Sequence, residues 1–197
     1  MSDIHADTFV VDVKAIRERV RGHIGAARSG RMGHDTAVLA LLNEALAIEL
    51  VCVLRYKRHY FMSATLGGLN GFSIVGELLA QANEDRAHAD LIAERITELG
   101  GEPDFDPAGL GCRYEGEFVL GSELASMLRE NVAAERIAID TCGEIIRFIG
   151  DSDDRTRTIL EELQGKRARG RVDGFSDEII VPPPPTKRER GIEALLV

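Results

Sequence analysis

The sequence contains no tryptophan, and its 3 tyrosines and 7 phenylalanines account for 5% of 197 residues. It has 3 cysteines, Cys52, Cys112 and Cys142, and no two of them form a Cys-x-x-Cys pair. This odd, scattered set argues against a disulfide framework and favours the reducing cytoplasm. The N-terminus lacks a basic region followed by an apolar one, so we expect no signal peptide.

The chain also lacks an excess of positive charge. It has 24 Lys and Arg against 33 Asp and Glu, a formal net charge of -9, which argues against nucleic acid as the main partner. The most apolar stretch, residues 37–54, is interrupted by Asn43, Glu44 and Glu49 and is shorter than the roughly 20 residues of a membrane span. We therefore expect no membrane helix.

The residues that dominate instead, Ala, Leu, Ile, Glu and Arg, favour helix. Apolar residues at helical spacing predict a short amphipathic N-terminal helix over 11–27 and four main helices over 36–66, 72–99, 122–150 and 155–166. Glycines follow each of the first three long segments and stop them. Short turns join the first pair and the second pair, and one long Gly- and Pro-rich connection joins the pairs.

This arrangement predicts an all-α fold, a four-helix bundle with one long crossover connection. We divide the chain into an N-terminal helix and linker (1–35), the bundle (36–166) and a tail (167–197). The tail contains basic runs and four consecutive prolines, and we expect it to be irregular.

The apolar seam of each long helix, traced in steps of three and four, contains one acid near its middle. These acids are Glu49, Asp85 and Glu135. His88 follows Asp85 by three residues, so both side chains reach the same point, whereas Glu84 falls on a flanking stripe. We predict that Asp85 faces the bundle core and Glu84 does not.

Three buried carboxylates at one depth repel one another unless a cation lies between them. The seams contain no Lys or Arg, so we expect no counter-charge from the protein and infer a divalent cation. Carboxylates with one imidazole suit iron or manganese better than zinc. The alternative is that each acid tilts towards water and that His88 is structural.

At this point three segments, ALAIELVCVLRY, ANEDRAHAD and NVAAERIAID, resemble the bacterioferritin branch of the ferritin-like di-iron carboxylate proteins. The resemblance covers about residues 36–166. It implies Glu49 and Glu135 as single carboxylate ligands of iron, and Asp85 with His88 as the first Glu-x-x-His. It also implies that Tyr56 hydrogen-bonds near the irons and takes part in catalysis.

The chain departs from this family pattern in three places. Asp85 stands where the family has Glu, and Arg86 stands where bacterioferritins have a haem-ligating Met, so haem is not expected. The second Glu-x-x-His is missing, because no His follows His88 and the fourth helix leads into RARGRV. Arg167, Arg169 and Arg171 would bring positive charge to that end of the site. One-base-shifted codons for RARGRVD can encode Glu-His-Ala-Asp-Glu-Leu, so we hypothesise a frameshift upstream of Arg167, which the gene sequence tests.

The resemblance implies a cytoplasmic, homo-oligomeric iron protein that oxidises Fe(II) with O2 or peroxide and stores or detoxifies iron. The missing ligands predict one half-site of Glu49, Asp85 and His88, with Glu135 weakly engaged. Two alternatives stay open: a di-iron oxidase of organic substrates, and a metal-free structural or stress protein. The second of these predicts that Asp85 and Glu135 pair with protein groups or water.

Overall fold

The computed structural model describes residues 8–65, 71–107 and 124–168, and these residues contain helices and no strand. The helices, in chain order, are α1 (Thr8–Arg28), α2 (His34–Thr65), α3 (Gly71–Glu98), α4 (Leu124–Ile149) and α5 (Asp154–Arg167). Helices α2 to α5 form the bundle: α2 packs on α3, α4 packs on α5, and the two pairs meet where α2 contacts α4 and α3 contacts α5.

The connection from α3 to α4 is the long crossover, and its described part, residues 101–107, has no regular secondary structure. The predicted all-α bundle with one crossover is therefore confirmed. The predicted start of the third long helix near Ser122, and the predicted tail from residue 169 onwards, lie outside the described residues. Arg167, which we had assigned to that tail, forms instead the last residue of α5.

Glycines end α3 and α4, as their sequence positions predict. Gly100 and Gly150 have φ of 77° and 54°, a left-handed conformation that side chains with a Cβ rarely adopt. After Gly150 the chain turns directly into α5, whose N-cap is Asp153. The Asp153 carboxylate accepts a hydrogen bond of 3.0 Å from the Thr156 amide, which satisfies one free donor of the first turn.

Helix α1 is docked on the bundle, against α2 and α4. Its predicted apolar stripe is buried at Ile16, Val20 and Ile24, while the side chain of Val13 lies outside the described residues. Basic residues of α1 flank the stripe and pair with acids of the bundle: Arg17 lies 2.7 Å from Glu144 and Arg19 lies 2.8 Å from Glu44. An apolar stripe between two ion-paired edges sets the orientation of α1.

Helix α2 is the central element of the core. By length and composition alone it could cross a membrane over residues 34–63, but 67% of its most apolar window is buried inside the protein. That burial is what a core helix of a globular bundle requires. The two sides of the apolar core, one around Cys52 and Leu78 and one around Leu46 and Ile92, are separated by a polar layer.

Candidate metal centre

The polar layer contains the four side chains that the sequence predicts as ligands. Glu49 on α2, Asp85 and His88 on α3, and Glu135 on α4 are each at most 1% exposed. The Glu84 side chain is 38% exposed, so the predicted difference between Asp85 and Glu84 is confirmed. One acid per seam, at matching depth on three packed helices, is sufficient to bring these groups together.

A fifth side chain, which the seams did not predict, lies among them and carries a positive charge. Arg167 is fully buried, with 0% of its surface exposed. Its Nη1 donates to Glu135 Oε2 and its Nη2 to Glu49 Oε2, both at 2.5 Å, and Nη2 lies 3.4 Å from Asp85 Oδ1. The seams predicted no counter-charge from the protein, and that expectation was wrong, because the charge comes from the last turn of α5. The departure from the family pattern predicted that Arg167 brings positive charge to this end of the site, and for Arg167 that prediction is confirmed.

These ion pairs change the protonation of the site. Burial alone would raise the pKa of Glu49, but the charge of Arg167 and the proximity of His88 outweigh it and lower that pKa to about 2. Burial would lower the pKa of Arg167, yet Glu135, Glu49 and Asp85 together raise it well above its ordinary value. Glu49 and Arg167 are therefore both charged at neutral pH, and one guanidinium is shared among three carboxyl groups.

The half-site predicted from the sequence is assembled on one side of this cluster. His88 Nδ1 lies 3.5 Å from Glu49 Oε2 and 3.9 Å from Asp85 Oδ1. Ligand atoms of Glu49, Asp85 and His88 all lie within 4.8 Å of one another. A divalent ion bonds to oxygen and nitrogen at about 2.0–2.2 Å, so small side-chain rotations would let one ion contact all three groups.

A second group of donors lies on the other side of the cluster and includes Cys52. Ligand atoms of Cys52, Asp85 and Glu135 also lie within 4.8 Å of one another, and Cys52 Sγ is 3.8 Å from Arg167 Nη1. Burial raises the pKa of Cys52, so its thiol keeps its proton. The sequence reasoning missed Cys52, although it follows Glu49 by three residues and so shares its helix face.

Tyr56 completes the environment of Glu135. Its buried hydroxyl donates a hydrogen bond of 2.8 Å to Glu135 Oε1, while Arg167 occupies Oε2 of the same carboxylate. Glu135 is thus held at both oxygens by protein groups. The predicted hydrogen bond from Tyr56 into the site is present, and a catalytic role for Tyr56 stays a prediction.

The donor set fits one divalent ion better than two. On the His88 side, two carboxylates and an imidazole converge, and Arg167 takes one oxygen of Glu49, Oε2. On the Glu135 side, Arg167 and Tyr56 take both oxygens of Glu135. Among the described residues, His88 supplies the one imidazole that belongs to either ligand group.

Comparison with known proteins bears on the fold of this chain. A family model described as Ferritin-like domain matches residues 39–166. The bacterioferritin of Desulfovibrio desulfuricans is 25% identical over 124 residues, which span 63% of this chain and 64%, just under two thirds, of that protein.

Two solved structures share the fold. The X-ray structure of the Desulfovibrio desulfuricans bacterioferritin, described with its diiron site in different catalytic states, superposes with a TM-score of 0.60 at 22% identity and covers 73% of this chain and 78% of its own. The Rhodobacter capsulatus bacterioferritin, described with a metal-free dinuclear site and haem iron, gives a TM-score of 0.60 at 24% identity, covering 72% of this chain and 82% of its own.

Proposed function

This chain belongs to the ferritin-like family, and on that premise we propose that it binds Fe(II) at the centre of its bundle and takes part in iron storage or detoxification. The observation that carries this proposal is the convergence of Glu49, Asp85 and His88, fully buried and with ligand atoms within 4.8 Å of one another. Two carboxylates and an imidazole form a donor set suited to Fe(II) as the substrate.

The proposed ligands contribute to iron binding in two ways, through their negative charge and through the fixed orientation of their donor atoms. Glu49 and Asp85 supply negative charge that neutralises a divalent ion in a buried site, where Coulomb attraction is stronger than in water. His88 supplies a nitrogen donor from α3, fixed by the rigid helix. Tyr56 and Arg167 hold Glu135 at the opposite side and keep it from competing for the same ion.

We further propose that bound Fe(II) is oxidised slowly by O2 or peroxide. One Fe(II) gives up one electron, whereas reduction of O2 to peroxide takes two. A centre that holds a single iron therefore cannot complete this reduction alone, and the second electron must come from another centre or another iron. The paired irons of the family supply both electrons at one site. Because this chain lacks the fourth-helix ligands, we expect slower oxidation.

The cysteines and the exposed apolar residues support a cytoplasmic, oligomeric iron protein. The two described cysteines, Cys52 and Cys142, are buried and free, which suits a reducing cytoplasm. Exposed apolar residues on α2, argued below, support a homo-oligomer. The relatives described as bacterioferritins make an iron-handling assembly the function to test first.

A second candidate, a metal-free structural protein on the same scaffold, is favoured by one observation. Its expectation was that the seam carboxylates pair with protein groups, and Arg167 and Tyr56 pair with Glu135 in that way. The two candidates differ in whether the centre binds metal at all.

Anaerobic titration of the metal-free protein with Fe(II), followed by admission of O2 while ferric absorbance is recorded, distinguishes them. We expect one Fe(II) per chain and slow oxidation. His88→Ala should weaken binding by at least about 10- to 100-fold, the range for loss of groups that only support a ligand, because His88 is itself a proposed ligand.

His34→Ala is the matched control, because His34 is exposed at the start of α2, where it bonds to Ser152 and stacks on Phe148. This variant should bind Fe(II) like the wild type. Two Fe(II) per chain with fast oxidation would contradict the single-ion half-site. No binding of Fe(II) would favour the second candidate, a metal-free structural protein.

A further inference from the structure

The guanidinium of Arg167 makes the contacts that a bridging cation would make. Its Nη1 is bound to the carboxylate of Glu135 on α4, and its Nη2 to that of Glu49 on α2 with Asp85 of α3 close by. One planar cation thus joins acids from three helices, and it is itself supplied by the fourth. Arginine suits this task because its charge is permanent and its donors point in fixed directions.

Arg167 supplies one positive charge to a buried layer that contains three carboxyl groups. A divalent ion on the His88 side would add two more. Because three carboxyl groups supply at most three negative charges, a second divalent ion beside Arg167 would leave the layer with an excess of positive charge, so Arg167 and a second metal ion exclude each other.

The donors around Nη1 are those of a metal site. Cys52, Asp85 and Glu135 have ligand atoms within 4.8 Å of one another, and Arg167 Nη1 lies 2.5 Å from Glu135 and 3.8 Å from Cys52. A thiol near two carboxylates provides a softer set than the His88 side, and such a set prefers cobalt or zinc to magnesium or calcium.

We propose that Arg167 is the built-in second cation of this centre, and that it covers a divalent-cation site formed by Cys52, Asp85 and Glu135 which opens when the guanidinium is removed. This inference rests on the proposed function, because it takes the His88 side as the site of the first ion. Binding of the second ion would replace the proton of the Cys52 thiol, so one proton leaves as the metal–sulfur bond forms.

The test compares Arg167→Gln with Lys166→Gln, a matched loss of one positive charge at the preceding, exposed residue of the same helix. The probe is Co(II) under anaerobic conditions, because thiolate coordination adds a charge-transfer band in the near ultraviolet. We expect one Co(II) per chain without that band for the wild type and Lys166→Gln. Arg167→Gln should bind two, with the band and release of about one additional proton.

Thermal unfolding gives a readout that does not depend on activity. Without metal, Arg167→Gln leaves the carboxylates uncompensated, and its Tm should fall by roughly 10 °C, with most of the loss restored by Co(II). Lys166→Gln should shift the Tm by less than about 2 °C with or without Co(II). The double variant Arg167→Gln with Cys52→Ser should lose the charge-transfer band.

The outcomes separate this inference from the proposed function. One Co(II) in both the wild type and Arg167→Gln overturns the inference and leaves the function. None in the wild type but binding in Arg167→Gln upholds Arg167 as the resident cation and overturns the function. No binding in either overturns both.

Arg167→Lys keeps the experiment decisive if Arg167→Gln does not fold without metal. It retains the charge, so it should fold and bind one Co(II) without the band; two Co(II) would contradict the inference. Arg167→Gln should then refold when Co(II) is added, and failure to refold with Co(II) would also count against it.

Discussion

At the scale of single residues, the sequence predicted those members of the centre whose signal lies within a single helix. Glu49, Asp85 and Glu135 each interrupt an otherwise apolar seam, and a seam acid is visible from the sequence alone. Arg167 sits in a basic run that resembles a solvated tail, and its burial depends on carboxylates supplied by three other helices. No local pattern distinguishes such an arginine from an exposed one.

A second buried polar cluster shows the same dependence on tertiary contacts. His59 on α2 is fully buried, and its Nε2 lies 3.9 Å from Glu130 Oε2 of α4. It also interacts electrostatically with Arg55 and Arg58. Burial lowers the pKa of His59, and the charges of Arg55 and Arg58 lower it further, to about 3, although the nearby Asn131 side chain acts in the opposite direction. The imidazole is therefore neutral in the folded protein throughout the ordinary pH range.

We predict that His59 makes the protein sensitive to mild acid. Its folded pKa lies below its unfolded value, so the unfolded chain binds a proton first, and stability present above about pH 6.5 is lost as the pH falls towards 3. This one group should lower the free energy of unfolding by roughly 3 kcal/mol between pH 7 and pH 4. Urea unfolding of the wild type and His59→Gln at both pH values measures the effect.

The variant His34→Gln is the control for this experiment, because it removes an exposed histidine of the same helix. Its loss of stability between pH 7 and pH 4 should equal that of the wild type. If His59→Gln loses as much stability as the wild type over the same interval, His59 is already protonated in the fold and the prediction is wrong.

At the scale of helices, the sequence was a good guide because its glycines and apolar spacing are local signals. The predicted ends at Gly100 and Gly150 are confirmed, and so is the buried stripe of α1 at Ile16, Val20 and Ile24. The sequence did not indicate where α1 docks. That position depends on ion pairs such as Arg17 with Glu144, whose two members are far apart in the chain and unremarkable separately.

The packing of α1 leads to a prediction about Gly22. This residue is exposed inside α1, and a Cβ added there would meet no atom within 4 Å. Gly22→Ala should therefore stabilise the protein by about 0.5–1 kcal/mol, the difference in helix propensity between the two residues. The midpoint of urea unfolding, followed by far-ultraviolet circular dichroism, should rise accordingly.

Gly101→Ala is the contrasting control, since its Cβ would lie 2.6 Å from Leu39 Cδ2 and should destabilise the protein by about 1–3 kcal/mol. The sign of the Gly22 result also tests whether α1 is part of the cooperative core. A midpoint unchanged by Gly22→Ala would mean that α1 unfolds before the bundle does, contrary to its packing on α2 and α4.

At the scale of the whole molecule, the charged layer divides the apolar core into two parts, and Arg167 stabilises it by contacting all three of its acids. The bundle itself follows from four amphipathic segments and one long connection, which is why its architecture was predictable. The surface that the molecule presents to other molecules is harder to predict, because it depends on which face of each helix the packing leaves exposed. The outer face of α2 leaves Leu54 and Phe61 exposed at 62% and 65%, although most of that helix is buried.

We predict that this face of α2 associates with a second copy of the chain. Leu54 and Phe61 are seven residues apart and so project from the same side of the helix, where large apolar side chains are costly to leave in water. Phe61→Glu should lower the mass measured by analytical ultracentrifugation towards that of the 21.6 kDa monomer. Phe105→Glu, which changes an equally large side chain, 49% exposed, beyond the end of α3, should leave the mass unchanged. A wild type that is already monomeric, or equal masses for the wild type and Phe61→Glu, would exclude α2 as the contact surface.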